Sequence, residues 1–148
     1  MKRAVIHTDG ASSGNPGASG IGVVIEFGNK TYEHSAYIGV ATNNVAEYEA
    51  LIRGLEEALA LGAQEVEARM DSELLAKQLS GEYRVKHPGL LPLYQKVLRL
   101  VASFRRVTFR HVPRQENKRA DKLAKDAVRK APKGPPDQPP QAPPGRLF

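Results

Sequence analysis

The apolar run Ala4-Val5-Ile6 opens the hydrophobic pattern of the chain and predicts a first strand over about residues 3 to 9. That strand ends in Asp9. The stretch after it, Gly10 to Gly17, is too rich in Gly, Ser, Asn and Pro to stay extended and reads as a loop. Gly20 to Phe27 predicts a second strand, Gly28-Asn29 a tight hairpin turn, and Lys30 to Gly39 a third strand. From Asn43-Asn44 onward, Val45, Tyr48, Leu51, Ile52, Leu55, Ala58 and Leu59 recur at three- and four-residue spacing, which predicts a long helix stopped by Gly62. Glu65 to Asp71 alternates polar with apolar and predicts a fourth strand, again ending in an aspartate. Ser72 to Leu79 reads as a short helix, Glu82 to Pro92 as irregular, and Leu93 to Phe104 as a helix. A fifth strand, Arg105 to Val112, is closed by Pro113. The last helix is predicted from Gln115 to Lys130, with Ala120, Leu123, Ala124, Ala127 and Val128 facing inward.

This order places three antiparallel strands first and then crossovers that imply parallel pairing. It predicts an α/β protein with one five-stranded mixed sheet flanked by helices. In open sheets, ligands gather where strand ends leave a crevice. Asp9 and Asp71 each end a predicted strand, and they lie side by side if those strands are parallel neighbours. Both also have plainer readings. Asp and Gly together are common turn residues, and Asp71-Ser72 could be the cap of the short helix. Glu47, three residues after Asn44 as N-cap, completes an asparagine version of the capping box. Asp121 has no such local role, because it falls mid-helix beside the inward Ala120 and Ala124.

Composition narrows the chemistry. The chain of 148 residues suits one domain with a real core. Beyond residue 130 the composition shifts, and most of the 11 prolines lie between Pro132 and Pro144. The division is therefore a globular domain over 1–130 and a proline-rich tail over 131–148. Absence of cysteine removes thiolate metal sites and cysteine nucleophiles, so a metal must be held by oxygen or imidazole, and oxygen favours Mg²⁺, Mn²⁺ or Ca²⁺. A net charge of +6 points to a polyanionic partner, nucleic acid first. No apolar run approaches the roughly 20 residues of a membrane span. Met1-Lys2-Arg3 leads straight into a strand without a signal-peptide core, so a cytoplasmic protein without membrane contact is expected.

Thr8-Asp9-Gly10 with Gly14-Asn15-Pro16-Gly17, Thr42 to Glu47, Asp71-Ser72, and His111 to Arg114 with Asn117 and Ala120 to Ala124 together closely resemble type 1 ribonuclease H, over roughly residues 3 to 130. The resemblance implies that Asp9, Glu47, Asp71 and Asp121 are metal-binding carboxylates holding two Mg²⁺ ions, with Mn²⁺ as a plausible substitute. It implies an endonuclease acting as a monomer, which cuts the RNA strand of RNA/DNA hybrids and leaves 5′-phosphate and 3′-hydroxyl ends. It also assigns substrate contacts, including the 2′-hydroxyl that separates RNA from DNA, to Gly10, Ser12, Asn15, Asn43, Asn44 and Asn117.

Two departures from the family stand out. Some members carry a mobile histidine seven residues before the last aspartate, and Arg114 takes that position here. An arginine acts by charge and hydrogen bonding, not by moving protons near neutral pH. His111 reads as structural. The stretch from Leu79 to Leu93 is short and lacks the tryptophan- and lysine-rich basic protrusion of some members, which leaves room for action on RNA/RNA duplexes. Competing readings are a non-catalytic module that binds hybrid or duplex RNA, and a related exonuclease or phosphatase on the same scaffold.

Overall fold

The computed structural model describes residues 2–131. The expectations for the proline-rich tail fall, apart from Ala131, outside the described residues. The elements are β1 (Arg3–Ser12), β2 (Gly17–Phe27), β3 (Lys30–Ala41), α1 (Asn43–Ala60), β4 (Glu65–Met70), α2 (Glu73–Leu79), α3 (Leu91–Val101), β5 (Arg106–His111) and α4 (Lys118–Arg129), with a short 3₁₀ turn at Arg114–Glu116. They form the predicted single sheet, ordered β3-β2-β1-β4-β5. β1 pairs antiparallel with β2, and β2 with β3, whereas β4 joins β1 in parallel and β5 joins β4 in parallel.

The three inner strands, β2, β1 and β4, bury one face. Ala4, Ile6, Val23, Ile25, Val66, Ala68 and Met70 pack against α1 residues Tyr48, Leu51, Ile52 and Leu55, with Val97 of α3 and Phe104 closing the same core. The second face carries α4. Its small residues Ala120, Ala124 and Ala127 come so near β2 that a Cβ on Gly20 would lie 2.6 Å from the Ala127 methyl, and one on Gly22 would overlap the Ala120 carbonyl. The glycines that weaken β2 by propensity are therefore what seats α4. Among the described residues no helix is long and apolar enough to cross a membrane.

Several boundaries differ from the sequence reading, three of them for a reason that the structure shows. β1 does not stop at Asp9: it continues to Ser12, because Asp9 to Ser12 pair with Gly22 to Ser19 of β2. The predicted loop is thus extended backbone up to Ser12. α3 begins at Leu91 with Pro92 in its first turn, where a missing N–H costs nothing. α4 begins at Lys118 after the 3₁₀ turn, with Asn117 as its N-cap residue, so Asp121 lies in the first turn and not mid-helix. A carboxylate there is favoured by the helix dipole.

Candidate active site

Pairing between β1 and β4 stops at Thr8 and Met70. Beyond that point β1 continues with β2 alone, so Asp9 and Asp71 emerge side by side where the sheet splits. Asp71 is not the cap of α2. Ser72 holds that place, its Oγ accepting from the Leu75 N–H at 3.2 Å. Glu47 is likewise no capping residue. Thr42, not Asn44, caps α1, its Oγ1 accepting from the Val45 N–H at 3.2 Å, and Glu47 lies a turn further in. The Glu47 carboxylate instead accepts the N–H of Gly10, 37 residues away in β1. Both aspects of the site were open to local explanations, and both local explanations fail.

One carboxylate oxygen each from Asp9, Glu47 and Asp71 lies within 4.8 Å of the others. Asp121 joins from α4, hydrogen-bonded to Asp9. Asp9 and Glu47 are 6% and 5% exposed, so they are too deep for water to screen their repulsion. Burial pushes Asp9 well above the ordinary carboxylate range, and the neighbouring Glu47, Asp121 and Asp71 push it further. Burial also raises Glu47, partly countered by its hydrogen bonds to Asp9 and Gly10. Asp121 also pays for burial, but its bonds to Asp9 and Lys125 and the charge of Arg114 hold it below the ordinary value. Oxygen-only donors converging in a buried patch that one proton alone cannot neutralise fit a hard divalent cation.

These carboxylates floor a cleft of about 360 Å³, whose walls include Gly10, Ser12, Asn43, Ser72, Arg114 and Lys125. The structure thus brings Gly10, Ser12 and Asn43 to the cleft, although the Gly10 N–H is taken by Glu47. Asn15 lies one layer back, its Oδ1 accepting from the Asn43 N–H at 3.0 Å and so tying the β1–β2 turn to the start of α1. Asn44 is exposed beside the cleft but does not line it. Asn117 is a correction: it is 1% exposed, outside the cleft lining, and its Nδ2 donates to the Thr8 carbonyl at 2.9 Å. It therefore joins α4 to β1 and sets Asp121 against Asp9, instead of touching a substrate. Arg114 is exposed, with Nη2 3.7 Å from Asp121 Oδ1. His111 is exposed at the end of β5. Lys125, which sequence reasoning missed, holds Asp121 at 3.0 Å. Its i,i+4 spacing from Asp121 on a helix was the available signal.

The crowding has a measurable consequence for stability. Below the ordinary aspartate range, about pH 4, folded and unfolded chains both keep the Asp9 proton. Above it the unfolded chain ionises freely while the folded one resists, so stability falls as pH rises toward the raised folded value. Without metal, Asp9→Asn should therefore melt higher than the parent at neutral pH, by about 5 °C, with the gap closing toward pH 4. Melting curves in a chelator check this; a gap that is absent or widens toward acid contradicts it.

A mixed five-stranded sheet split above a cluster of four carboxylates defines an α/β protein with an acidic, cation-holding site. The family described as "Reverse transcriptase-like" matches residues 7–127. The chain is 47% identical over 129 residues to the bifunctional protein Rv2228c of Mycobacterium tuberculosis, covering 85% of this chain but only 35% of that protein. It is 35% identical to the ribonuclease H of Chlorobaculum parvum, covering 86% of this chain and 97% of the relative. Among solved structures it resembles LC11-RNase H1 in complex with an RNA/DNA hybrid, with a TM-score of 0.81, 47% identity, and 86% and 97% of the two chains covered. The chain belongs to the ribonuclease H family.

Proposed function

We propose that this chain is a divalent-cation-dependent endonuclease that hydrolyses the RNA strand of RNA/DNA hybrids, leaving 5′-phosphate and 3′-hydroxyl ends. The observation that carries the reading is the convergence of Asp9, Glu47 and Asp71 within 4.8 Å, with Asp121 against Asp9. A pure binding module gains nothing from four acids facing a polyanion. Similarity to an enzyme solved with a bound hybrid supports the substrate class. Mg²⁺, as two ions held by the four carboxylates, would supply activation of water and stabilisation of the leaving oxygen. All four acids come from one chain, which supports action as a monomer.

The protein's own groups do the positioning. The Gly10 N–H holds Glu47 toward Asp9, and Asn117 holds the start of α4 against β1. Ser12 and Asn43 offer polar groups on the cleft wall where a 2′-hydroxyl would be read. Arg114 and Lys125 bring positive charge to the same cleft. An internally labelled hybrid incubated with Mg²⁺ tests the proposal: internal cuts in the RNA strand support it, stepwise mononucleotides favour an exonuclease, and binding without cuts favours a non-catalytic module. RNA/RNA duplex in the same assay should be cut more slowly.

Arg114→Ala should lower kcat by about ten- to hundredfold, the range for losing one or two charge-assisted hydrogen bonds. Arg114→Lys should recover only part, since a point charge lacks the guanidinium fork. Unchanged kinetics would reduce Arg114 to a surface charge.

A further inference from the structure

The outward face of α4 carries a row of cations of which only Lys125 belongs to the carboxylate cleft. Lys118, Lys122, Lys125 and Arg129 follow at four- and three-residue spacing and so share one side of the helix. The opposite side, Ala120, Leu123, Ala124 and Ala127, is buried against the sheet, and all four cations are exposed. α4 is firmly seated: Arg119 reaches Glu33 through two contacts of 2.6 Å, and Ser35 Oγ donates to the Leu123 carbonyl at 2.6 Å. The row begins at the cleft, where Arg114, Gln115, Lys118 and Asp121 line a shallow depression that shares Arg114 and Asp121 with it. At the helical rise it spans about 16 Å from Lys118 to Arg129, with Lys125 on the cleft side of it.

Carboxylates offset only part of this charge. Asp121 pairs with Lys125 at 3.0 Å, while Asp126 pairs with Lys122 at 3.2 Å and with Arg129. Lys118 has no acidic partner among the described residues. With Arg114 added, the row stays net positive along its length.

We infer that this face of α4 is a second contact surface for the substrate duplex, holding the phosphates of one strand along the row that leads out of the cleft. The inference rests on the proposed function for its partner, a nucleic-acid duplex. Charge complementarity and continuity with the cleft carry it: with one charge per roughly 3.4 Å of axis on each strand, the row faces about five phosphates. Exposed lysines contact phosphate without reading sequence, so the surface serves any hybrid.

The test removes Lys118, Lys122 and Arg129 together by alanine substitution and spares Lys125, which lines the cleft. A control removes Lys30, Arg99 and Arg105, equally exposed cations elsewhere, and so loses the same net charge. Binding of a labelled hybrid of about 18 base pairs, measured by fluorescence anisotropy in chelator, should weaken at least about tenfold in the row variant, with a salt slope smaller by about two to three. The control should change by less than about threefold, the share left to net charge alone. With Mg²⁺, KM should rise in the row variant at unchanged kcat. Equal weakening in both variants, or parent-like binding and salt slope in the row variant, overturns the inference. Failure of the parent to cut any hybrid would instead overturn the proposed function, and the anisotropy comparison would still decide the row.

Discussion

Asp71→Asn is expected to abolish hybrid cleavage while leaving the fold intact. The substitution keeps the shape of the side chain and removes its charge, and Asp71 has no structural duty to lose. Ser72 caps α2, and the last β4 pairing is made by Met70. What goes is the negative charge of one of the three carboxylates whose oxygens cluster within 4.8 Å. Removing a preorganised charge-stabilising group costs two to three orders of magnitude, so a fall on the order of 10³-fold or more in kcat is expected. Titration calorimetry should show weaker Mg²⁺ or Mn²⁺ binding. The far-ultraviolet spectrum should match the parent, with a melting temperature equal or higher because one repelling charge has gone. A fully active Asp71→Asn protein would end the assignment of a carboxylate-held metal site.

Gly10→Ala is expected to damage fold and site together. A Cβ at Gly10 would overlap the backbone of Ala46 and Glu47 at the start of α1. Both partners are main chain, so no rotamer change relieves the clash, and either β1 or α1 must shift. Overpacking of a well-filled core costs typically about 1–3 kcal/mol and more where nothing yields. A loss of about 3 kcal/mol corresponds to roughly 10 °C of melting temperature for a domain of this size. The same shift separates Glu47 from the Gly10 N–H that holds it beside Asp9, so activity should fall by at least about a hundredfold even well below the melting point. Gly28→Ala is the comparison, since a Cβ there meets nothing and only its φ of +64° is strained. It should cost about 1 kcal/mol and spare turnover. A Gly10→Ala protein with parent-like stability and activity would show that the approach of α1 to β1 is not what positions Glu47.

Much of the architecture is legible in the chain because periodicity is a local code. The three- and four-residue recurrence from Val45 to Leu59 and the alternation in β4 and β5 follow from which side of each element meets the core. The glycine-containing hairpin at Gly28-Asn29 follows from a turn that needs a positive φ. Boundaries fail where a distant partner decides them. β1 runs past Asp9 because β2 comes back to pair with it, and nothing within residues 10 to 12 announces that.

The sequence by itself determined the candidates: four acids at 9, 47, 71 and 121, each in an element it could name, together with an oxygen-only donor chemistry and a basic chain to meet a polyanion. Locally, though, Asp9 suited a turn and Glu47 and Asp71 suited caps, while the family resemblance made Asn117 a substrate contact. Tertiary structure alone decided between the readings. Parallel pairing of β1 with β4 sets Asp9 beside Asp71, Thr42 and Ser72 take the capping roles, and Asn117 is buried as the link between α4 and β1. The physical reason is that a cap is satisfied within one turn of chain, whereas the repulsion among four carboxylates exists only once elements far apart in sequence have packed. That cost is bearable only because the core beneath the sheet fixes where those elements end.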